Sequence, residues 1–224
     1  MSATGGRGQA ERIPLGMRCS EIFGAWALRR LAQRVEVVGL EHVPSSGAAI
    51  LAGNHISWVD PVFLACWLTP ATGRPLNWMG KAEAMRWPLV GQFLRINGVF
   101  GVRRGAADLE AFRLAERVLA EGHLLGIYPE GTRSHDGRLG AFRDGAALLA
   151  LRSGVPVLPV SVSGTHHLWR RGSFLPRRVA QIRLVIGAPL HLERGEGRGA
   201  VQHAAEQIRS AVAALLPPEH LPAP

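Results

Sequence analysis

From residue 35 to residue 215, short apolar runs alternate with longer segments of helical period, and neither an internal repeat nor a linker interrupts them. Val35–Gly39, Ala48–Gly53, Leu76–Gly80, Gly98–Val102, His123–Tyr128, Val155–Val162 and Gln181–Gly187 read as strands. Ala48–Gly53 is apolar throughout and is expected to be buried. Val155–Val162 contains Pro156 and Pro159, which a sheet tolerates near an edge or a bend. One helix should open at Asp60-Pro61, where an Asp cap precedes a proline at the first helical position. A second spans 106–121, with Leu109, Phe112, Ala115 and Leu119 on one face and Gly122 at its end. Further helices are expected at 141–152, closed by Gly154, and at 199–215. Strands alternating with helices define an α/β fold. The expectation is a single domain with a mixed, largely parallel central sheet flanked by helices, plus an N-terminal helical segment.

Residues 1–16 are rich in Gly, Arg and Ala and are expected to be disordered; 17–34 should form the N-terminal helix; 35–217 form the main domain. In the helix, Phe23, Trp26, Ala27 and Leu31 share a face with Arg30 and Arg34. Snorkelling arginines would let such a segment lie on lipid, and a helix packed on the domain with solvated arginines fits equally well. No run of 18 apolar residues occurs, so no spanning helix is expected, and residues 1–16 lack the apolar centre of a signal peptide. Membrane contact is therefore expected to be peripheral, on the cytoplasmic face. Cys19 and Cys66 match no metal-ligand or redox spacing, which suits a reducing compartment, and no metal site is expected. The net charge is +9, and every basic residue except Lys81 is an arginine. Such a chain favours anionic partners. The arginines are scattered and no nucleic-acid module is visible, so no nucleic-acid partner is expected.

The chemistry concentrates in two blocks. In Asn54-His55-Ile56-Ser57-Trp58-Val59-Asp60, a histidine follows a buried strand and a carboxylate lies five residues on. A carboxylate that fixes the tautomer of an imidazole and stabilises its cation makes a general base. This spacing alone is weak, because a helix cap accounts for Asp60 and a hydrogen-bonded core residue for His55. The second block, Tyr128-Pro129-Glu130-Gly131-Thr132-Arg133-Ser134, leaves another strand end. Gly131 permits close backbone approach, Arg133 offers a planar fork for phosphate, and Glu130 can accept from hydroxyls. An ordinary glycine turn with a surface arginine explains that block equally well on its own.

Four blocks together are far more specific. With Gly98 through Arg104 and Val155 through Val160, the two blocks above occur in order across residues 35–189. In this order the chain resembles the lysophosphatidic acid (1-acyl-glycerol-3-phosphate) acyltransferases of the glycerolipid acyltransferase superfamily. The stretches Val38–Pro44, Met79–Glu83 and Phe142–Ala146 are similar as well. The resemblance implies that 35–217 is an acyltransferase domain. Its activity would be transfer of a fatty acyl group from acyl-CoA or acyl-carrier protein to the free hydroxyl of 1-acyl-glycerol-3-phosphate, yielding phosphatidic acid for phospholipid synthesis. It implies His55 as the base and Asp60 as its orienting carboxylate, with no acyl-enzyme, no metal and no cofactor beyond the thioester co-substrate. Lys81, Arg104 and Arg133 would hold the acceptor phosphate; Glu130 and Gly131 would position its glycerol, and Thr132 would be a further substrate-binding residue. Arg103 and Asp144 depart from the family pattern. They leave open another lyso-lipid acceptor, such as a lyso-ornithine lipid, a lysophospholipid or a glycolipid, and a non-catalytic lipid-binding protein is a further alternative. The basic, aromatic stretch 166–178 suits anionic lipid, coenzyme A phosphates or an acidic carrier protein, or is a solvated loop.

Overall fold

The computed structural model describes residues 13–102, 109–169, 173, 175–193 and 195–222, with the backbone alone at 81 and 102. In chain order the elements are α1 (Leu15–Leu31), β1 (Ala32–Val38), β2 (Ala49–Gly53), α2 (Asp60–Thr72), β3 (Leu76–Lys81), α3 (Pro88–Ile96) and β4 (Val99–Val102). They continue with α4 (Leu109–Ala120), β5 (Leu124–Ile127), α5 (Asp144–Ser153), β6 (Val157–Ser163), α6 (Thr165–Leu168), β7 (Val179–Ile186) and α7 (Gly197–Leu215). The seven strands form one sheet in the order β1-β7-β6-β2-β5-β3-β4. Every pairing is parallel except β6 with β7. The expected α/β architecture is therefore the observed one.

Both faces of the sheet are covered, as a parallel sheet requires. Alternate residues of β2 divide between two cores. Ala49 and Leu51 join Phe63, Leu64 and Leu68 of α2 and Leu28 of α1 on one face. Ile50 and Ala52 join Ala115 and Leu119 of α4, Leu149 of α5 and Ile208 of α7 on the other. β2 thus lies at the centre of a three-layer sandwich, and its carboxyl end opens at one rim.

Four local expectations change. Helix α1 begins at Leu15, two residues early, and ends at Leu31 rather than at 34. Ala32 is already extended and pairs with Val179 of β7, so strand pairing stops the helix where no breaker residue does. Arg34 consequently lies on β1, where it meets Glu36 at 3.6 Å, and does not share a helix face with Arg30. In α4 the buried stripe is Ala111, Ala115 and Leu119, whereas Leu109 is 66 % exposed. Strand β6 is interior, not an edge. Pro159 is tolerated because its carbonyl, and hence its missing donor, faces the β7 side. There the Val157–Leu190 bridge gives way to the ladder that starts at Val160, and Gly187 donates to the Pro159 carbonyl at 2.8 Å. Finally, α3 was not expected at all: its apolar residues Leu89, Val90, Phe93 and Ile96 point outward.

Candidate active site

The carboxyl ends of β2, β5 and β6, three adjacent strands, converge at one rim of the sheet. Open parallel sheets bind ligands at this rim, because the loops leaving neighbouring strands meet there. Loop 54–59 leaves β2, loop 128–143 leaves β5, and Gly164-Thr165 leaves β6.

Asp60 does not cap α2. The helix starts at Asp60 itself, and no side-chain cap bond is present. Its carboxylate turns back to the loop that precedes it. Oδ2 accepts from the backbone N–H of Ile56 and of Ser57, each at 2.7 Å, and from His55 Nδ1 at 2.9 Å. Oδ1 accepts from the Thr165 hydroxyl at 2.6 Å. Asp60 is 0 % exposed, so these four donors replace its water shell. The carboxylate accepts at His55 Nδ1, which places the proton on that nitrogen and leaves Nε2 as the acceptor.

The imidazole plane is set from below. Its ring stacks on Tyr128 at 4.1 Å between centroids, and Tyr128 stacks on Trp78 of β3 at 5.4 Å. Gly126 makes this column possible, because a Cβ there would sit 2.5 Å from the Trp78 ring. Burial, reinforced by the Asp60 charge, raises the Tyr128 hydroxyl well above its ordinary value.

Glu130 is buried beside the pair. It accepts from the His55 backbone N–H at 3.1 Å and from the backbone of Gly140. Burial dominates over these bonds and pushes its carboxyl up to about 7, with Asp60 and Asp136 adding to the rise. Ser134 N–H donates to the His55 carbonyl at 2.7 Å, so the loops after β2 and β5 are joined twice. Gly131 has φ +69°, and a Cβ there would meet the Arg143 guanidinium at 2.8 Å. Gly131 and Thr132 are exposed at the mouth. The Arg133 guanidinium lies 4.0 Å over the exposed ring of Trp58.

The structure thus gathers His55, Asp60, Glu130, Gly131, Thr132 and Arg133 at one rim. Lys81 ends β3 at the same rim, paired in register with Val102 of β4. Arg104 and Arg103 lie outside the described residues, as do Arg170, Arg171 and Phe174 of the basic stretch. Sequence reading missed Thr165, the Tyr128–Trp78 column and the approach of Arg143. The one available signal was Gly164-Thr165 directly after an apolar strand, and it carries no spacing information.

Residues 34–163 match the family model described as Acyltransferase, and the chain belongs to that family. It is 36 % identical over 173 residues to a 1-acyl-sn-glycerol-3-phosphate acyltransferase of Limnanthes alba, covering 75 % of this chain and 59 % of the relative. It is 31 % identical over 183 residues to the protein of the same name from Pseudomonas aeruginosa, covering 80 % and 68 %. The crystal structure of the 1-acyl-sn-glycerophosphate (LPA) acyltransferase PlsC from Thermotoga maritima superposes with a TM-score of 0.72 at 27 % identity, covering 89 % of this chain and 79 % of that one. The chain spans about three fifths of the length of the Limnanthes relative.

Proposed function

We propose that this protein transfers a fatty acyl group from an acyl thioester, on coenzyme A or acyl-carrier protein, to the free hydroxyl of 1-acyl-glycerol-3-phosphate. The observation that carries the reading is the His55–Asp60 pair: Nδ1 is held at 2.9 Å by a fully buried carboxylate, and Nε2 is left to accept. Nε2 takes the hydroxyl proton as the oxygen attacks the thioester carbonyl. The new C–O bond forms, the C–S bond breaks, and the proton passes from His55 to the leaving thiolate. Asp60 stabilises the imidazolium between those two transfers. Arg133, whose guanidinium lies over the Trp58 ring, suits the acceptor phosphate, and Glu130, Gly131 and Thr132 line the approach to it. Lys81 and Arg104 are assigned to the same phosphate by family resemblance. The names of the Limnanthes and Pseudomonas relatives support this acceptor.

The reaction takes place at a membrane surface in this reading. Among the described residues no helix is long and apolar enough to cross a membrane. Instead α1 exposes Leu15, Ile22, Phe23 and Trp26, and α3 exposes Leu89, Val90, Phe93 and Ile96. The two helices adjoin: Ser20 donates to Asn97 at 2.7 Å, and Gly16 packs against Ile96. Their combined apolar face, flanked by arginines, supports a peripheral contact with lipid.

Thiol release from acyl-CoA and from acyl-carrier protein, with 1-acyl-glycerol-3-phosphate as acceptor, tests the reading. Wild type should turn over, and His55→Ala should lose at least about a hundredfold in kcat. Equal turnover by the variant refutes the assignment of the base.

A further inference from the structure

Asp60 carries two kinds of partner. Ile56, Ser57 and His55 all belong to the loop that Asp60 itself closes, and all three donate to Oδ2. Left to these bonds, the carboxylate would be registered only against its own loop. Oδ1 is reached from elsewhere, by the hydroxyl of Thr165, 105 residues along the chain.

The fold prepares that contact in two steps. Asn54 clamps the end of β2 to β6, its amide donating to the Val162 carbonyl at 2.9 Å while its carbonyl accepts from Val162 N–H at 2.8 Å. Gly164 then turns the chain at φ +81°, against the Gln181 carbonyl, where no side chain fits. The turn brings Thr165 under Asp60 with 0 % exposure, so no water is at hand to substitute for its hydroxyl. A planar carboxylate held at both oxygens has a fixed rotation about its Cβ–Cγ bond. That rotation sets the direction in which Oδ2 meets the His55 ring.

Resting on the reading of His55 as the base, we propose that Thr165 is a positioning residue of the acyl-transfer site, whose hydroxyl orients Asp60 and through it His55. It touches neither substrate nor the reacting atoms. The sheet interior, through β6, thereby sets the geometry of a pair that would otherwise depend on its own loop alone.

Thr165→Val keeps the shape and removes the donor; Thr165→Ser keeps the donor and removes the methyl group. Steady-state kinetics with acyl-CoA and 1-acyl-glycerol-3-phosphate should show Thr165→Val lowered roughly tenfold in kcat, with both KM values within about twofold of wild type. The acid limb of its kcat/KM profile should move to higher pH, because a carboxylate short of one donor holds the imidazolium more strongly. The other titratable groups against the pair, Tyr128 and Glu130, are common to both proteins, so the difference belongs to Thr165. The His55 Nδ1–H proton resonance should shift downfield in Thr165→Val and return in Thr165→Ser. An unmoved limb and resonance in Thr165→Val, or a serine variant as impaired as the valine one, overturns the proposal. Should Thr165→Val not fold, Thr165→Ala is compared with Thr165→Ser by the same criteria. His55→Ala is run alongside: full turnover there refutes the base, while the resonance in the Thr165 variants, which keep His55, still reports whether Thr165 acts on the pair.

Discussion

Replacing Glu130 by glutamine isolates the cost of one buried charge. The carboxyl is buried, and its surroundings move it from the ordinary 4.5 to about 7. The folded protein therefore binds its proton over a pH range in which the unfolded chain has released it. Stability is fully present below about 4.5 and is lost as pH rises towards the folded value. That interval is worth about 3 kcal/mol in all, of which about 2 kcal/mol falls between pH 5 and pH 7 and little above pH 7.5. Glutamine cannot ionise, so its variant lacks this slope. Urea unfolding of both proteins at half-unit steps from pH 5 to 8 measures it, because all other titrations cancel in the difference. The wild-type protein should fall relative to Glu130→Gln by about 2 kcal/mol from pH 5 to 7 and then run parallel to it. The offset between the curves contains the loss of one acceptor for the His55 or Gly140 amide and is not diagnostic. A flat difference across the window, or one of opposite sign, refutes the claim that burial outweighs the two amide bonds.

Three further outcomes are expected. Asp60→Asn puts an amide among four hydrogen-bond donors; kcat should fall at least about a hundredfold and the unfolding midpoint should also drop, both measurable on the same preparation. Gly126→Ala drives a methyl group into the Trp78 ring, and calorimetry should show a loss of about 1–3 kcal/mol together with reduced kcat as the stack under His55 shifts. Phe93→Glu combined with Phe23→Glu should weaken sedimentation with anionic vesicles by about tenfold or more while acylation of a detergent-dispersed acceptor persists; unchanged vesicle binding removes α1 and α3 as the lipid contact.

The physical reach of each signal explains what was legible. The His55–Asp60 pair is closed by five residues of local chain, so spacing exposed it, and the ordered blocks gave it a family. The same spacing did not say whether Asp60 was a cap or a partner; only the backward hydrogen bonds to Ile56 and Ser57 decide that. Helix α1 was misplaced at its end because pairing of Ala32 with Val179 overrides local propensity. Helix α3 carries a Pro at its start and apolar residues at 89, 93 and 96, a helical period too short to stand out from the sequence around it. Its meaning is reversed from the usual one, since that stripe faces outward.

Alternation of apolar runs, a buried central strand and four ordered blocks were enough to determine, from sequence alone, an α/β acyltransferase-family domain and the loops that carry its candidate residues. These are properties of local period and of residue type, which a chain displays before it folds. Tertiary structure alone decided that β6 runs through the interior, that Trp78 and Tyr128 support His55, that Glu130 loses its water, and that Thr165 completes Asp60. Each of those depends on which strands become neighbours. That choice is made by burying both faces of one sheet at once, a cooperative outcome with no marker at any single position.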